Sequence, residues 1–255
     1  MIARRSLLQA TALVMLPGAG MASDQRLLRF VFSRPQRDPR TQWLIRLYTD
    51  ACAMLGRQFE FVDVPAKRAT AMVLSSEVDG ELGRTAAYQQ LHPRLRRVDE
   101  PNNSVSFCVY GLARAAPFVD MAQARNQVLR CETRRGIHEM EAFLQQHMGR
   151  NHSSEISEVW QGIRKLQLGR TDLYFDVREA VEDYLNFKGC GERPLEQPKV
   201  ERLATIATTT GHCYLNQKHA SLAPELARVL AQLKASGTSA RYLNEELARY
   251  ALLCG

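Results

Sequence analysis

The side chains of this chain with chemical potential fall into three groups: six cysteines, a short run rich in histidine and glutamate, and a loop crowded with arginines. The cysteines are Cys52, Cys108, Cys131, Cys190, Cys213 and Cys254. No two are spaced C-x-x-C, the spacing that a zinc ribbon or a thioredoxin-like redox pair needs. An even number of thiols in an oxidising compartment instead predicts disulfides. His138, Glu139, Glu141 and His147 fall on one predicted helix, with His138 and Glu141 sharing a face. No third ligand stands at matching spacing, so the group reads as solvated helix surface and not as a metal centre. The chain carries no G-x-S-x-G elbow, no H-E-x-x-H and no phosphate-binding glycine loop, so no catalytic class and no cofactor is expected.

Arg34, Arg37 and Arg40 crowd a Pro-rich loop, placed either to attract an anion or simply to stay hydrated. The formal charge is +7 and the pI about 9.3. Such a surface draws anionic partners at long range without identifying one. No nucleic-acid recognition motif accompanies it. The amino end predicts a cleavable export signal over residues 1–22, with Arg4-Arg5 ahead of the apolar run Leu7 to Leu16 and small residues at Gly20 and Ala22. The order Ala3-Arg4-Arg5-Ser6-Leu7-Leu8 also fits a twin-arginine signal. Beyond it no stretch reaches the roughly 18 consecutive apolar residues of a membrane helix. The expectation is a soluble, monomeric periplasmic protein.

The elements that must position these groups follow from hydrophobic periodicity. Leu27 to Phe32 reads as a strand, Ser33 to Arg40 as a loop, and Trp43 to Leu55 as a helix stopped at Gly56. A strand at Phe59 to Val62, a helix from Pro65 through Ser76 and a strand at Val78 to Gly83 follow. The β-α-β-α-β order predicts parallel strands with right-handed crossovers. Arg84 to Asn103 reads as irregular, and Val105 to Tyr110 as a strand. The alternation then restarts with a strand at Val128 to Cys131 and helices over Gly136 to Met148 and Glu158 to Leu168. Thr171 to Phe175 is the next strand, Val177 to Lys188 a helix, Cys213 to Leu215 a strand, and Leu222 to Lys234 and Ala240 to Leu253 are terminal helices. One internal echo organises this order. Ala69 to Arg84 and Gly162 to Val177 each run helix, acidic turn, strand, and two such units predict two α/β lobes. In open α/β sheets a ligand binds beyond the carboxyl ends of the strands.

The run Leu74-Ser75-Ser76-Glu77-Val78-Asp79-Gly80 resembles the Val-Asp-Gly turn of the bacterial extracellular solute-binding protein family 3, the polar amino-acid type, apart from a missing glycine. Gly169-Arg170-Thr171-Asp172 is similar to its second-lobe counterpart. Lys218 through Pro224-Glu225-Leu226 to Thr238 resembles the family's ending. The resemblance implies a two-lobed α/β fold, a periplasmic binding protein-like fold of type II. Lobe one would comprise residues 23–108 and 214–255 and lobe two residues 109–213, with Val105–Tyr110 and Cys213–Leu215 as crossing strands. It implies a non-enzymatic receptor for a small, carboxylate-bearing solute. A membrane permease of the ABC type is the implied partner, or a receptor in the alternative case of a sensing protein of the same fold.

The family reads amino acids with a Thr-x-x-Arg arrangement. Here Arg84 precedes Thr85, so Arg84 is either the carboxylate's two-pronged donor or a solvated loop residue. Asp176 matches the position from which the second lobe holds an ammonium group, and equally that of a helix cap. The resemblance also places the loop of Arg34, Arg37 and Arg40 at the cleft; Phe32 and Tyr88 either stack on a ligand or belong to the core, and Arg135-Gly136 stands at a predicted helix start whose free N–H groups could meet an anion. Cys108 with Cys213, in the crossing strands, and Cys52 with Cys254, both in lobe one, are the disulfide pairings the resemblance implies.

Overall fold

In the computed structural model of the chain, residues 27–113, 129–148, 153–187 and 195–254 are described; the export signal expected over residues 1–22 lies outside them, as does Cys190. Strand β1 (Leu27–Phe32) is buried along most of its length, as its bulky apolar run demands. Helix α1 (Pro39–Met54) begins where Asp38 accepts from the Arg40 and Thr41 amides and Pro39 opens the first turn. Its stripe of Trp43, Leu44, Leu47, Tyr48, Ala51 and Cys52 is buried. Strand β2 (Gln58–Phe61), helix α2 (Ala66–Leu74) and strand β3 (Gly80–Thr85) complete a unit in which β2 and β3 flank β1 in parallel. The stretch from Arg84 to Asn103, expected to be irregular, holds a short helix α3 (Tyr88–Leu91) and a two-residue strand β4 (Arg96–Arg97).

Strand β5 (Asn103–Leu112) leads into a second unit. This consists of β6 (Cys131–Arg134), α4 (His138–His147), β7 (Ser153–Ile156), α5 (Val159–Gln167), β8 (Leu173–Val177) and α6 (Arg178–Asn186). Strand β9 (Val200–Leu215) returns to the first unit, followed by a 3-10 turn (Gln217–Leu222) and helices α7 (Ala223–Ala235) and α8 (Thr238–Cys254). The sheet order is β2-β1-β3-β9-β5-β8-β6-β7. Each half is a parallel trio, β2-β1-β3 or β7-β6-β8, closed by one antiparallel strand, β9 or β5. The two closing strands pair with each other from Asn103↔Gly211 to Leu112↔Val200, with bulges after Phe107 and Val109.

Each half has helices and apolar clusters on both sheet faces. Phe30, Leu44, Leu47, Leu82, Leu215 and Leu230 form one face of the first half, and Val31, Val73, Val78 and Tyr214 the other. Phe107, Met140, Leu144 and Phe175 form one face of the second half, and Tyr110, Ile163, Leu166 and Tyr174 the other. This is a two-lobed α/β fold joined by a two-stranded ribbon.

The internal echo is reproduced bond for bond at the turn that precedes each third strand. In the first lobe Asp79 exchanges backbone and carboxylate bonds with Arg29, and Glu77 N donates to Met72 O. In the second lobe Asp172 does the same with Arg130, and Arg170 N donates to Lys165 O. Both turns need one left-handed residue. Gly169 supplies it at φ 64°, whereas Ser76 adopts it at φ 62°.

The Cys108–Cys213 pairing is corrected. The β5–β9 register sets Cys108 opposite Thr205, while Cys213 lies near the far end of β9 in the first lobe's core, so the two thiols stay apart and free. Cys52 is also a free, buried thiol, and the side chain of Cys254 lies outside the description. Burial pushes the Cys52 and Cys131 thiols up to about 12, which leaves them inert as nucleophiles.

Candidate functional site

The carboxyl ends of β1, β3 and β6 meet at one cavity of about 90 Å³, floored by β5. Phe32, Arg34, Arg84, Thr85, Tyr88, Arg135 and Gly136 all line it; Asp176 does not. Trp43, Leu44, Val105, Ile137 and Val177 add apolar wall, and Arg40, Arg134, Glu139 and Glu179 add charge. Gly83 allows the chain to turn here. Its φ is 71°, and a Cβ at this position would stand 2.3 Å from the Phe32 ring, so β3 can pass beneath Phe32 only without a side chain.

Arg84 is not a solvated loop residue. Its Nε donates to Glu81 Oε1 at 2.7 Å, Nη2 to Thr70 Oγ1 at 3.0 Å, and Nη1 to the Gly136 carbonyl at 3.4 Å. Glu81 is fully buried and also accepts from the Tyr88 hydroxyl at 2.7 Å. Burial is the largest influence and by itself would lower the arginine's pKa, but the Glu81 charge and hydrogen bond, with Tyr88 and Glu139, together hold Arg84 above its ordinary value. Burial and the same carboxylate push the Tyr88 phenol up. Arg84 is therefore committed to its own lobe, apart from the one bond across the cleft.

Asp176 is equally committed. It is fully buried behind the wall, where Arg134 grips it through Nε at 2.9 Å and Nη2 at 2.9 Å. The Tyr174 hydroxyl and the Val177 amide, at 2.6 Å, complete its set of donors. It caps no open helix end and faces no free space. The helix start at Arg135-Gly136 is also occupied. Arg135 N donates to Ile156 O at 2.9 Å and Gly136 N to Glu141 Oε1 at 2.8 Å, so neither amide is open to an anion. The Arg135 side chain pairs with Glu155 at the rim.

Arg34 differs from these. It is 6% exposed, its Nη1 reaches Asp38 Oδ1 at 3.1 Å, and its Nη2 has no hydrogen-bond partner. Beside it Arg40 holds Asp183 of the opposite lobe with two bonds, at 2.6 and 3.0 Å. Thr85 donates to Glu139 across the same gap. Arg37 lines a neighbouring depression with Asp38 and Tyr184. Arg134, Glu179 and Asp183 were not singled out from sequence; Arg40 was named only with the arginine-rich loop and Glu139 only with the His/Glu helix. Arg134 fell beyond the expected strand Val128 to Cys131, which the structure places at Cys131–Arg134. Among the described residues no group of three or more His, Cys, Asp or Glu side chains could hold a metal ion.

The cavity lies where the strand ends of the two lobes meet, and solved structures share this arrangement of elements. The structure matches a histidine kinase sensor domain with similarity to periplasmic binding proteins at TM-score 0.70 and 15% identity, covering 87% of this chain and 96% of that one. It matches an ancestral arginine-binding protein bound to arginine at TM-score 0.68 and 11% identity, covering 87% and 98%. A substrate-binding protein of an amino acid ABC transporter aligns at TM-score 0.65 and 15% identity, covering 86% and 98%. The fold is that of periplasmic binding proteins. No protein-family model matches the chain. In sequence, an uncharacterized protein of Shewanella oneidensis is 27% identical over 222 residues, 86% of this chain and 81% of that protein. Among the described residues no helix is long and apolar enough to cross a membrane.

Proposed function

We propose that the protein is a periplasmic solute-binding protein that captures a small, polar, carboxylate-bearing molecule between its lobes for an ABC-type uptake system. The observation that carries this reading is the cavity itself, whose walls come from both lobes and whose charged lining is mostly guanidinium. Residues 23–108 with 214–255 would form one lobe and residues 109–213 the other, closing by rotation about the β5–β9 ribbon. On this reading the chain is delivered by the signal over residues 1–22, works as a monomer and turns nothing over. Fixed donors in a water-poor cleft favour a carboxylate because each hydrogen bond to it is charge-assisted.

A thermal-shift screen of the purified protein against amino acids, organic acids, sugars and polyamines tests it. A ligand at about 100 times its Kd raises stability by about 2.7 kcal/mol, and the strongest hit is expected to carry a carboxylate. Absence of any shift across the screen refutes the reading. The likeness to a histidine kinase sensor domain supports a second reading, in which the same cleft reports to a membrane receptor. Deletion that leaves uptake intact while altering a signalling output favours that reading over transport.

A further inference from the structure

Recognition of a zwitterion across two lobes requires a guanidinium with open donors on one side and a carboxylate with open acceptors on the other. Neither is present at the positions that would read an amino acid. Arg84 directs Nε and Nη2 to Glu81 and Thr70, and Nη1 to Gly136 O. Asp176 is fully buried, is bracketed by Arg134, Tyr174 and the Val177 amide, and contributes nothing to the cavity wall. The two carboxylates that do reach the wall also have donors of their own. Glu139 accepts from Thr85, and Glu179 from the Ser106 amide at 3.1 Å and from Arg178 at 2.9 Å. An ammonium group entering this space would have Glu139, bonded through one oxygen to a neutral hydroxyl, as its counter-charge, and five lining arginines to repel it.

The opposite holds for an anion. Arg34 lines the cavity at 6% exposure with Nη2 unpartnered, a charged donor removed from water with nothing to accept it. Such a group is among the costliest to leave unsatisfied and gains most when an acceptor arrives. Its Nη1 is held by Asp38 at 3.1 Å, with Asp183 of the opposite lobe at 3.9 Å, and Asp38 is itself fixed as the cap of α1, so the fork is set in place before any ligand enters. Phe32, Trp43 and Leu44 on the same wall offer apolar contact to a short carbon skeleton.

We propose that the ligand is a small organic acid without an ammonium group, and that Arg34, rather than Arg84, anchors its carboxylate. This rests on the solute-binding reading above and names the ligand's chemical class. The test is isothermal titration of the purified protein with a panel of short mono- and dicarboxylic acids, including succinate, each beside its amino counterpart, here L-aspartate, with L-arginine as a cationic comparison.

At least one acid is expected to bind about tenfold or more tightly than its amino counterpart, and Arg34→Met to weaken that acid by about tenfold or more, as loss of a charge-assisted bond requires. Arg34→Lys keeps the charge but not the fork. It serves as the second variant should Arg34→Met fail to melt cooperatively, and it too is expected to weaken the acid. Tighter binding of the amino compounds throughout overturns the proposal, as does unchanged acid affinity in a folded Arg34 variant, while both leave the receptor reading intact. Failure of every amino acid, acid, sugar and polyamine to bind the parent protein overturns the receptor reading itself.

Discussion

In the first lobe Glu81, Arg84 and Tyr88 lie within seven positions of one another, whereas in the second Asp176 and Tyr174 take their arginine from position 134, on another strand. Both trios bury a carboxylate of their lobe's third strand completely and satisfy it with a guanidinium and a phenol. The local trio stiffens one loop. The distant trio fastens β6 to β8 and so supports the second lobe's wall from behind. The difference teaches that an arginine or aspartate at a cleft edge can be part of the scaffold that shapes the cleft, with recognition left to a neighbour such as Arg34.

The largest effect should come from cutting the distant trio. Arg134→Met leaves the Asp176 charge without its cation in a fully buried site, and stability should fall by about 3–5 kcal/mol, read from urea unfolding. Adding Asp176→Leu removes the stranded charge and should restore most of that loss. If the single variant loses under about 1 kcal/mol, the second trio is not structural in the sense argued here. Cutting the local trio should cost less. Arg84→Met leaves Glu81 with the Tyr88 and Thr70 hydroxyls, and the expected loss is about 2–3 kcal/mol. Equal losses in the two variants would erase the distinction between local and distant trios.

This difference also explains how much was legible in the sequence. β1 and the stripe of α1 were readable because Leu27 to Phe32 and Trp43 to Cys52 are apolar in the pattern their burial requires. β7 was not, since Ser153-Ser154-Glu155 is an exposed edge whose place is given by pairing with β6. β9 was read only at its buried end, Cys213 to Leu215. Its Thr-rich first part is a strand because β5 pairs with it, not because it is apolar. The echo of two acidic turns was visible because each is built from consecutive residues. The Arg134–Asp176 pair was invisible because its members meet only once β6 and β8 lie side by side. Phe32, Arg34 and Arg84 could be named because strand ends are local features, but which of their donors remain open depends on partners that the register supplies.

Acid should separate the lobes next. Burial lowers the pKa of His212, whose Nδ1 lies 2.9 Å from Val98 O, and burial likewise lowers that of His92. His92 belongs to the first lobe, and His212 packs against it where β9 pairs with β3. Above about pH 6.5 these groups are neutral whether the chain is folded or not. As pH falls below that point the unfolded chain takes up protons first, so their contribution to stability is lost between 6.5 and the lower folded values. Hydrogen exchange in the first lobe should therefore quicken between about pH 7 and pH 5, and His212→Gln should flatten part of that dependence. An unchanged slope in His212→Gln assigns the acid response elsewhere.

The smallest and cleanest comparison is the pair of turns. Ser76 and Gly169 occupy equivalent places, at φ 62° and 64°, with matching backbone bonds on either side. A left-handed conformation costs an L-residue about 1–2 kcal/mol, and glycine almost nothing. Glycine also has more freedom to lose on folding, which returns about 0.4–1 kcal/mol of the difference. The two terms oppose each other, and the conformational cost is the larger. Ser76→Gly should therefore stabilise the protein by about 0.5–1 kcal/mol, and Gly169→Ala should destabilise it by a similar amount. Nothing lies within 4 Å of a Cβ built at Gly169, so crowding cannot produce that loss. Shifts of opposite sign and like size, measured by chemical denaturation, would mean that the two turns are one motif carried twice. A neutral Ser76→Gly would mean that the first turn gains from its serine something the backbone pattern does not record.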